Sequence, residues 1–230
     1  LALKYDNKKE CFISSCDMKA VDSTNYVKYD ILSLSTIDKV SGAFNLISSK
    51  LPLAKDIDWN DEKVFKEIDR SPVGLFQFES DSAWHYLKKF EPRTVQDIAL
   101  ISAVIRPSCA SFRDKLIDRV PNIHKDLRLN ELFSDSYGYL VYQEQQISFL
   151  HKICGFTEGE ADIVRRAIGK KDPVLLAEWL PRIEQGYIDN ANFDKELAKE
   201  YIKEFMQVFI DAANYSFSYN HAIAYSMLTY

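Results

Sequence analysis

The sequence predicts a mainly α-helical protein that opens on a small β/α segment. Only seven Gly and seven Pro occur in 230 residues, too few breaks for a turn-rich β architecture. Beyond about residue 55, apolar residues recur at three- and four-residue spacing over most of the chain. Short β-branched and aromatic runs are confined to the first 40 or so residues. With 47% hydrophobic and 13% aromatic residues, the chain can bury a core and does not have the composition of a disordered one.

In chain order, Cys11 to Ser15 and Tyr26 to Leu32 read as strands bounded by polar turns. In the second, alternation puts Tyr26, Lys28 and Asp30 on one face. A helical pattern runs from Ser35 to Lys50 and another from Glu62 to Ile68. Ser80 or Asp81 caps a helix that ends before Pro92. Thr94 and Asp97 open the next, with Ile98, Ile101 and Val104 inward and Pro107 as its stop. Residues 139–154 read as one helix closed by Gly155. Thr157 and Glu160 have capping-box spacing for a further helix, and Asp172-Pro173 reads as its stop and a new start. Asp194 caps a long helix, and a last one runs from His221.

Net charge is −5, unusual for a protein that binds nucleic acid, but the charges are unevenly spread. Arg106 to Arg128 holds six cations against three acids, and Glu184 to Asp211 is rich in acids. A basic groove with an acidic back is therefore expected. No run of about 18 apolar residues predicts a membrane span. Lys4, Asp6, Lys8, Lys9 and Glu10 interrupt the start, so a secretion signal is not expected. The four cysteines, Cys11, Cys16, Cys109 and Cys154, have no zinc spacing and read as free thiols of a reducing cytoplasmic location.

The most informative run is Gly155 to Lys171, which places Arg165, Arg166, Lys170 and Lys171 near a helix end. Arg166 and Lys170 share a face, where like charges repel by a few tenths of a kcal/mol. Such a cluster suits either an anion such as phosphate or the negative end of the helix dipole.

Five segments then resemble, in order, the C-family bacterial replicative DNA polymerases, the alpha subunits of DNA polymerase III. They are Gly74 to Ser80, Ala103 to Pro107, Tyr142-Gln143-Glu144-Gln145, Gly159 to Lys171 and Tyr215 to Tyr225. A sixth, Val27 to Leu34, resembles the family's palm strand. The resemblance implies residues 1–54 as the C-terminal part of a nucleotidyltransferase-type palm and 55–230 as helical fingers. It implies phosphoryl transfer from a deoxynucleoside triphosphate to a primer 3′-hydroxyl by two-metal catalysis. On this basis Asp30 is the expected magnesium ligand and Lys28 its phosphate-neutralising neighbour. Otherwise the two are an exposed pair on a half-buried strand.

Arg166, Lys170, Arg165 and Lys171 are implied on the nucleotide side, joined by His221 and Tyr215. His221 either donates to a phosphate or caps the last helix, and Tyr215 either stacks on the nucleotide or is core. Gln143, Glu144, Gln77 and Arg106 are expected to support the site by hydrogen bonding, the first two by orienting the cationic helix. Partners implied are primer-template DNA, deoxynucleoside triphosphates, a sliding clamp and other replisome subunits, with no membrane. The family's paired aspartates do not occur in residues 1–29. This stretch alone is therefore expected to bind magnesium poorly and to be inactive. Ser33 and Ser108 stand where the family has Gly, and Ser218-Tyr219-Asn220 where it has Asn-Lys-Ser. The lost Lys keeps open a second reading, a non-catalytic nucleic-acid-binding or assembly module.

Overall fold

A computed structural model describes residues 2–17, 20, 21, 23, 24, 34–47, 49–170 and 173–230, without the side chain of Asn214. The chain divides into two compact units, Leu1–Leu51 and Pro52–Tyr230.

In the first unit, β1 (Leu3–Asp6) pairs antiparallel with β2 (Cys11–Ser14), with Lys4 opposite Ile13 and Tyr5 opposite Phe12. The turn forms because the Asp6 carboxylate accepts the backbone N–H groups of Lys8 and Lys9, at 2.9 and 3.2 Å. Tyr5 and Phe12 meet edge to face at 5.2 Å across the pair. Helix α1 (Ser35–Leu46) stops four residues short of the expected Lys50. The expected strand at 26–32, with Lys28 and Asp30, lies outside the described residues.

The second unit is helical. It holds α2 (Glu62–Ile68), α3 (Asp81–Phe90), α4 (Val95–Val104), α5 (Arg113–Ile117) and α6 (Leu127–Leu132). Then come α7 (Gln143–Ser148), α8 (Glu158–Gly169), α9 (Pro173–Asp189), α10 (Lys195–Tyr215) and α11 (Tyr219–Thr229). The caps follow the sequence. Ser80 accepts from Ala83 N–H, Thr94 and Asp97 form a full capping box, and so do Thr157 and Glu160. Asp194 accepts from the N–H groups of Glu196 and Leu197.

Two apolar clusters hold the unit together. One gathers Phe65, Leu87, Ile98, Ile101 and Val104, with α11 lying along α4. The other gathers Phe133, Phe149, Ile183, Ile202 and Phe209 from α6 to α10. Tyr215 packs against both.

Several expectations change. Residues 139–154 are not one helix. Tyr139 to Tyr142 is non-helical, α7 is short, and Phe149–Ile153 continues as a π-helical turn. Gly155 then turns with φ +78°, where a Cβ would meet the Asn190 side chain at 2.7 Å. The last helix starts at Tyr219, two residues before His221. Ser108 needs no positive φ, because Pro107–Cys109 forms a 3-10 turn.

The basic groove with an acidic back also changes. Lys125 of the basic stretch donates to Glu200 and Glu204 of the acidic one, at 2.9 and 2.8 Å. Arg128 is held by the buried Asp126, and Arg113 by Asp114. Three of the six cations, Arg113, Lys125 and Arg128, are thus neutralised within or between the two stretches, which linear charge counting cannot reveal.

Candidate nucleotide-facing site

Helix α8 presents the cations. Its N-terminal capping box contributes about 1 kcal/mol to helix stability, and Thr157 pulls the Glu160 carboxyl below its ordinary pKa. Ala161, Val164, Ala167 and Ile168 bury one face, which turns Arg166 and Lys170 outward. Lys170 caps the helix, its N–H on the carbonyls of Arg166 and Ala167.

The arginines are not bare. Arg165 donates Nε and Nη2 to Asp162 Oδ1, at 3.3 and 3.0 Å, and Arg166 donates Nη2 to Oδ2 at 2.7 Å. The Arg165 hydrogen bonds are the largest influence on the Asp162 carboxyl; burial opposes them, and the Arg166 hydrogen bond and both arginine charges add to them, so its pKa lies below the usual value. Arg165 is 17% exposed and Arg166 68%. Arg166 therefore has most of its five N–H donors free for another anion. The four cations taken alone do not reveal Asp162 as their partner, although its spacing of three and four to the arginines signals the pairing. Lys171 lies outside the described residues.

The C-terminal turn of α8 abuts the end of α10, since a Cβ on Gly169 would touch Ala213 O at 3.4 Å. Two residues on, the chain leaves α10 at Tyr215, whose ring lies 5.5 Å from Phe112 and whose hydroxyl burial pushes up in pKa. Tyr215 is thus largely core.

Residues 216–219 are clasped to 141–144. Phe217 N–H donates to Val141 O at 3.0 Å, and Gln143 N–H to Phe217 O at 2.9 Å. The Gln143 side chain reaches Ser216 O at 3.3 Å. Glu144 accepts from Ser218 Oγ at 3.1 Å and from Tyr219 N–H at 2.8 Å, so it caps α11. Gln145 supports the clasp, taking the N–H groups of Val141 and Tyr142 and donating to Ser136. Gln143 and Glu144 therefore orient the start of α11, not α8. The Tyr219 ring, at the Lys position of the family pattern, stands edge-on to Tyr142 at 5.0 Å.

The clasp fixes Phe217. The Arg106 guanidinium lies over its face at 3.6 Å, and the His221 ring meets its edge at 5.1 Å. The His221 ring also lies against Tyr225, centroids 3.9 Å apart and tilted by 43°, and Tyr225 in turn meets Phe76 at 5.0 Å. His221 does not cap α11, whose N-cap is Ser218. Gln77, beside Phe76, is exposed with φ +71°, a conformation costly for a non-glycine residue.

Arg106, Phe217 and His221 thus come together, and α8 is joined to them through the end of α10. Among the described residues no group of three or more His, Cys, Asp or Glu could hold a metal ion. Asp30 and Lys28 are outside that set, so the described side chains do not themselves supply a magnesium site. No helix among the described residues is long and apolar enough to cross a membrane.

Residues 33–191 match the bacterial DNA polymerase III alpha subunit finger domain. The chain is 34% identical to DNA polymerase III subunit alpha of Borreliella burgdorferi, over 99% of this chain and 20% of that protein. It is 30% identical to the Helicobacter pylori subunit over 95% of this chain, and 29% identical to the Bacillus subtilis one over 94%. It spans about a fifth of the length of these curated relatives.

Proposed function

Because the chain belongs to the bacterial DNA polymerase III alpha subunit finger-domain family, we propose that it forms the fingers of a replicative DNA polymerase. Residues 55–230 would be the fingers and residues 1–54 the end of the palm. The break between compact units after Leu51 falls near this boundary and supports it. In the reaction the primer 3′-oxygen attacks the α-phosphorus of a deoxynucleoside triphosphate. A new P–O bond forms, the bond to the leaving phosphate breaks, pyrophosphate departs and the hydroxyl proton is given up. Such catalysis consists largely of positioning and charge neutralisation.

This chain's part is to hold the phosphate chain. The observation that carries the reading is Arg166, braced at one N–H by Asp162 and otherwise exposed, with Lys170 one turn on. Arg165, tucked against the helix, fixes Asp162 and so the direction of Arg166. Lys171 joins them by sequence. Asp30 and Lys28 remain the proposed palm contributions, and the other magnesium ligands would come from carboxylates outside this chain. Primer-template DNA and deoxynucleoside triphosphates are the ligands. A sliding clamp and other replisome subunits would be engaged through other parts of the polymerase, in the cytoplasm.

One observation favours a second reading, a non-catalytic nucleic-acid-binding or assembly module. Tyr219 stands where the family pattern has Lys, and its ring is turned onto Tyr142. Triphosphate binding by the 230-residue chain and its Arg166→Ala/Lys170→Ala variant separates the two. Loss of binding in the variant supports the fingers reading, and unchanged affinity refutes it. In a full-length polymerase, Asp30→Ala should abolish synthesis without unfolding the protein, and normal activity would remove the metal role.

A further inference from the structure

Among the described residues, eight of the nine arginines have a carboxylate or carbonyl partner, Arg166 through one N–H only. Arg70, Arg93, Arg113, Arg128, Arg165, Arg166 and Arg182 each pair with a carboxylate, and Arg119 donates to the carbonyls of Phe90 and Glu91. The Arg106 side chain, by contrast, has neither an ion pair nor a hydrogen bond. Its guanidinium carbon lies over the Phe217 ring, 3.6 Å from the centroid, and the residue is exposed.

We infer that Arg106, stacked on Phe217 beside His221, is a phosphate-binding site in its own right. This rests on the reading above only in taking the ligand to be a nucleotide or nucleic acid. Stacking on an aromatic face leaves the in-plane N–H edge of a guanidinium open, and that edge matches two phosphate oxygens. The side chain is already oriented, so binding costs less ordering than for a free arginine.

The support is built from the backbone outward. Pro107 confines Arg106 to an extended conformation, observed at φ −72° and ψ 149°, and Cys109 N–H bonds its carbonyl at 3.0 Å. Phe217 is held by the clasp to residues 141–144, with Glu144 pinning the next turn through Ser218 and Tyr219. His221, within 5.1 Å of the same ring, adds a second donor on that flank. The phosphate is carried either by a free nucleotide or by the DNA backbone, and the two sources are told apart by experiment.

The test uses the 230-residue chain with two probes, a deoxynucleoside triphosphate and a primer-template duplex, and unfolding temperature as a folding control. Arg106→Ala should weaken one probe by about tenfold or more, and the probe affected names the source. If it is DNA, the slope of log K against log salt should fall by about 0.7–0.9, the loss of one phosphate contact. Arg106→Lys, which keeps the charge but loses the planar fork, should fall between wild type and Ala. Phe217→Leu, which changes no charge, should also weaken binding. Affinities of Arg106→Ala within twofold of wild type for both probes overturn the inference. They leave the α8 reading standing if Arg166→Ala/Lys170→Ala still loses triphosphate. A wild-type chain that binds neither probe overturns both.

Discussion

Asp126 offers the sharpest test of what holds the site's scaffold together. It is 3% exposed, yet it is charged. Its carboxylate accepts from Arg128 N–H at 2.9 Å, from Arg128 Nε at 3.1 Å, from Nη2 at 2.8 Å and from Tyr187 Oη at 2.5 Å. Arg128 Nη1 continues to Asn190 O at 2.8 Å, and Asn190 Nδ2 to Gly186 O at 2.8 Å. The network therefore ties the start of α6 to the end of α9. Asp126→Ala removes the N-cap of α6 and strands a guanidinium that is only 21% exposed. Breaking a buried pair this way costs about 3–5 kcal/mol. At roughly 2–4 °C per kcal/mol for a chain of this size, the melting temperature should fall by about 6–20 °C.

Burial opposes the charge on Asp126, but the hydrogen bonds from Arg128 and Tyr187 outweigh it and hold the carboxyl below its ordinary pKa. The folded value lies below the unfolded one, about 3.9. The contribution is therefore complete above that value and lost as pH falls through the folded pKa. Thermal unfolding followed by circular dichroism at pH 7 and between pH 5 and 2 checks both parts. Wild type should lose its advantage over the variant in acid. A loss at pH 7 below about 1 kcal/mol, or a difference that does not shrink in acid, would refute the reasoning.

Three other outcomes are expected. Gln146 is fully buried and neither its Oε1 nor its Nε2 has a partner, so Gln146→Leu should stabilise the chain by about 1–3 kcal/mol in urea unfolding. Destabilisation there would show that the amide is satisfied. Gly138 has φ +82°, and a Cβ would fall 1.9 Å from Asn122 O. Gly138→Ala should cost well over 1 kcal/mol by the same assay, whereas Gly159→Ala, which meets nothing within 4 Å and sits in a helix, should be neutral or stabilising. Glu144→Ala should fray α11, raising amide exchange at Tyr219 to Ala222, while Glu144→Gln, which keeps an acceptor, should recover much of the protection. Equal protection in all three proteins would remove the capping role.

Much of the helical unit was legible because its signals are local. Thr94 with Asp97, Thr157 with Glu160, and Asp194 each satisfy backbone N–H groups within three residues, so spacing alone predicts them. The faces of α4, α8 and α10 follow from the helical period. The short helices α5 and α6 were not legible, because five or six residues carry too little periodicity. Residues 139–154 misled because an apolar spacing cannot show that Tyr142 bridges to Phe217, 75 residues on.

By itself the sequence determined the helical class, the caps, the cationic end of α8 and the order of motifs that places the chain in its family. Only the tertiary structure decided which charges are free. Lys125 meets Glu200 and Glu204 across 75 and 79 residues, and Arg106 meets an aromatic ring instead of an acid. A charge is spent or available according to its neighbour in space, and neighbours that distant are set by how the helices pack.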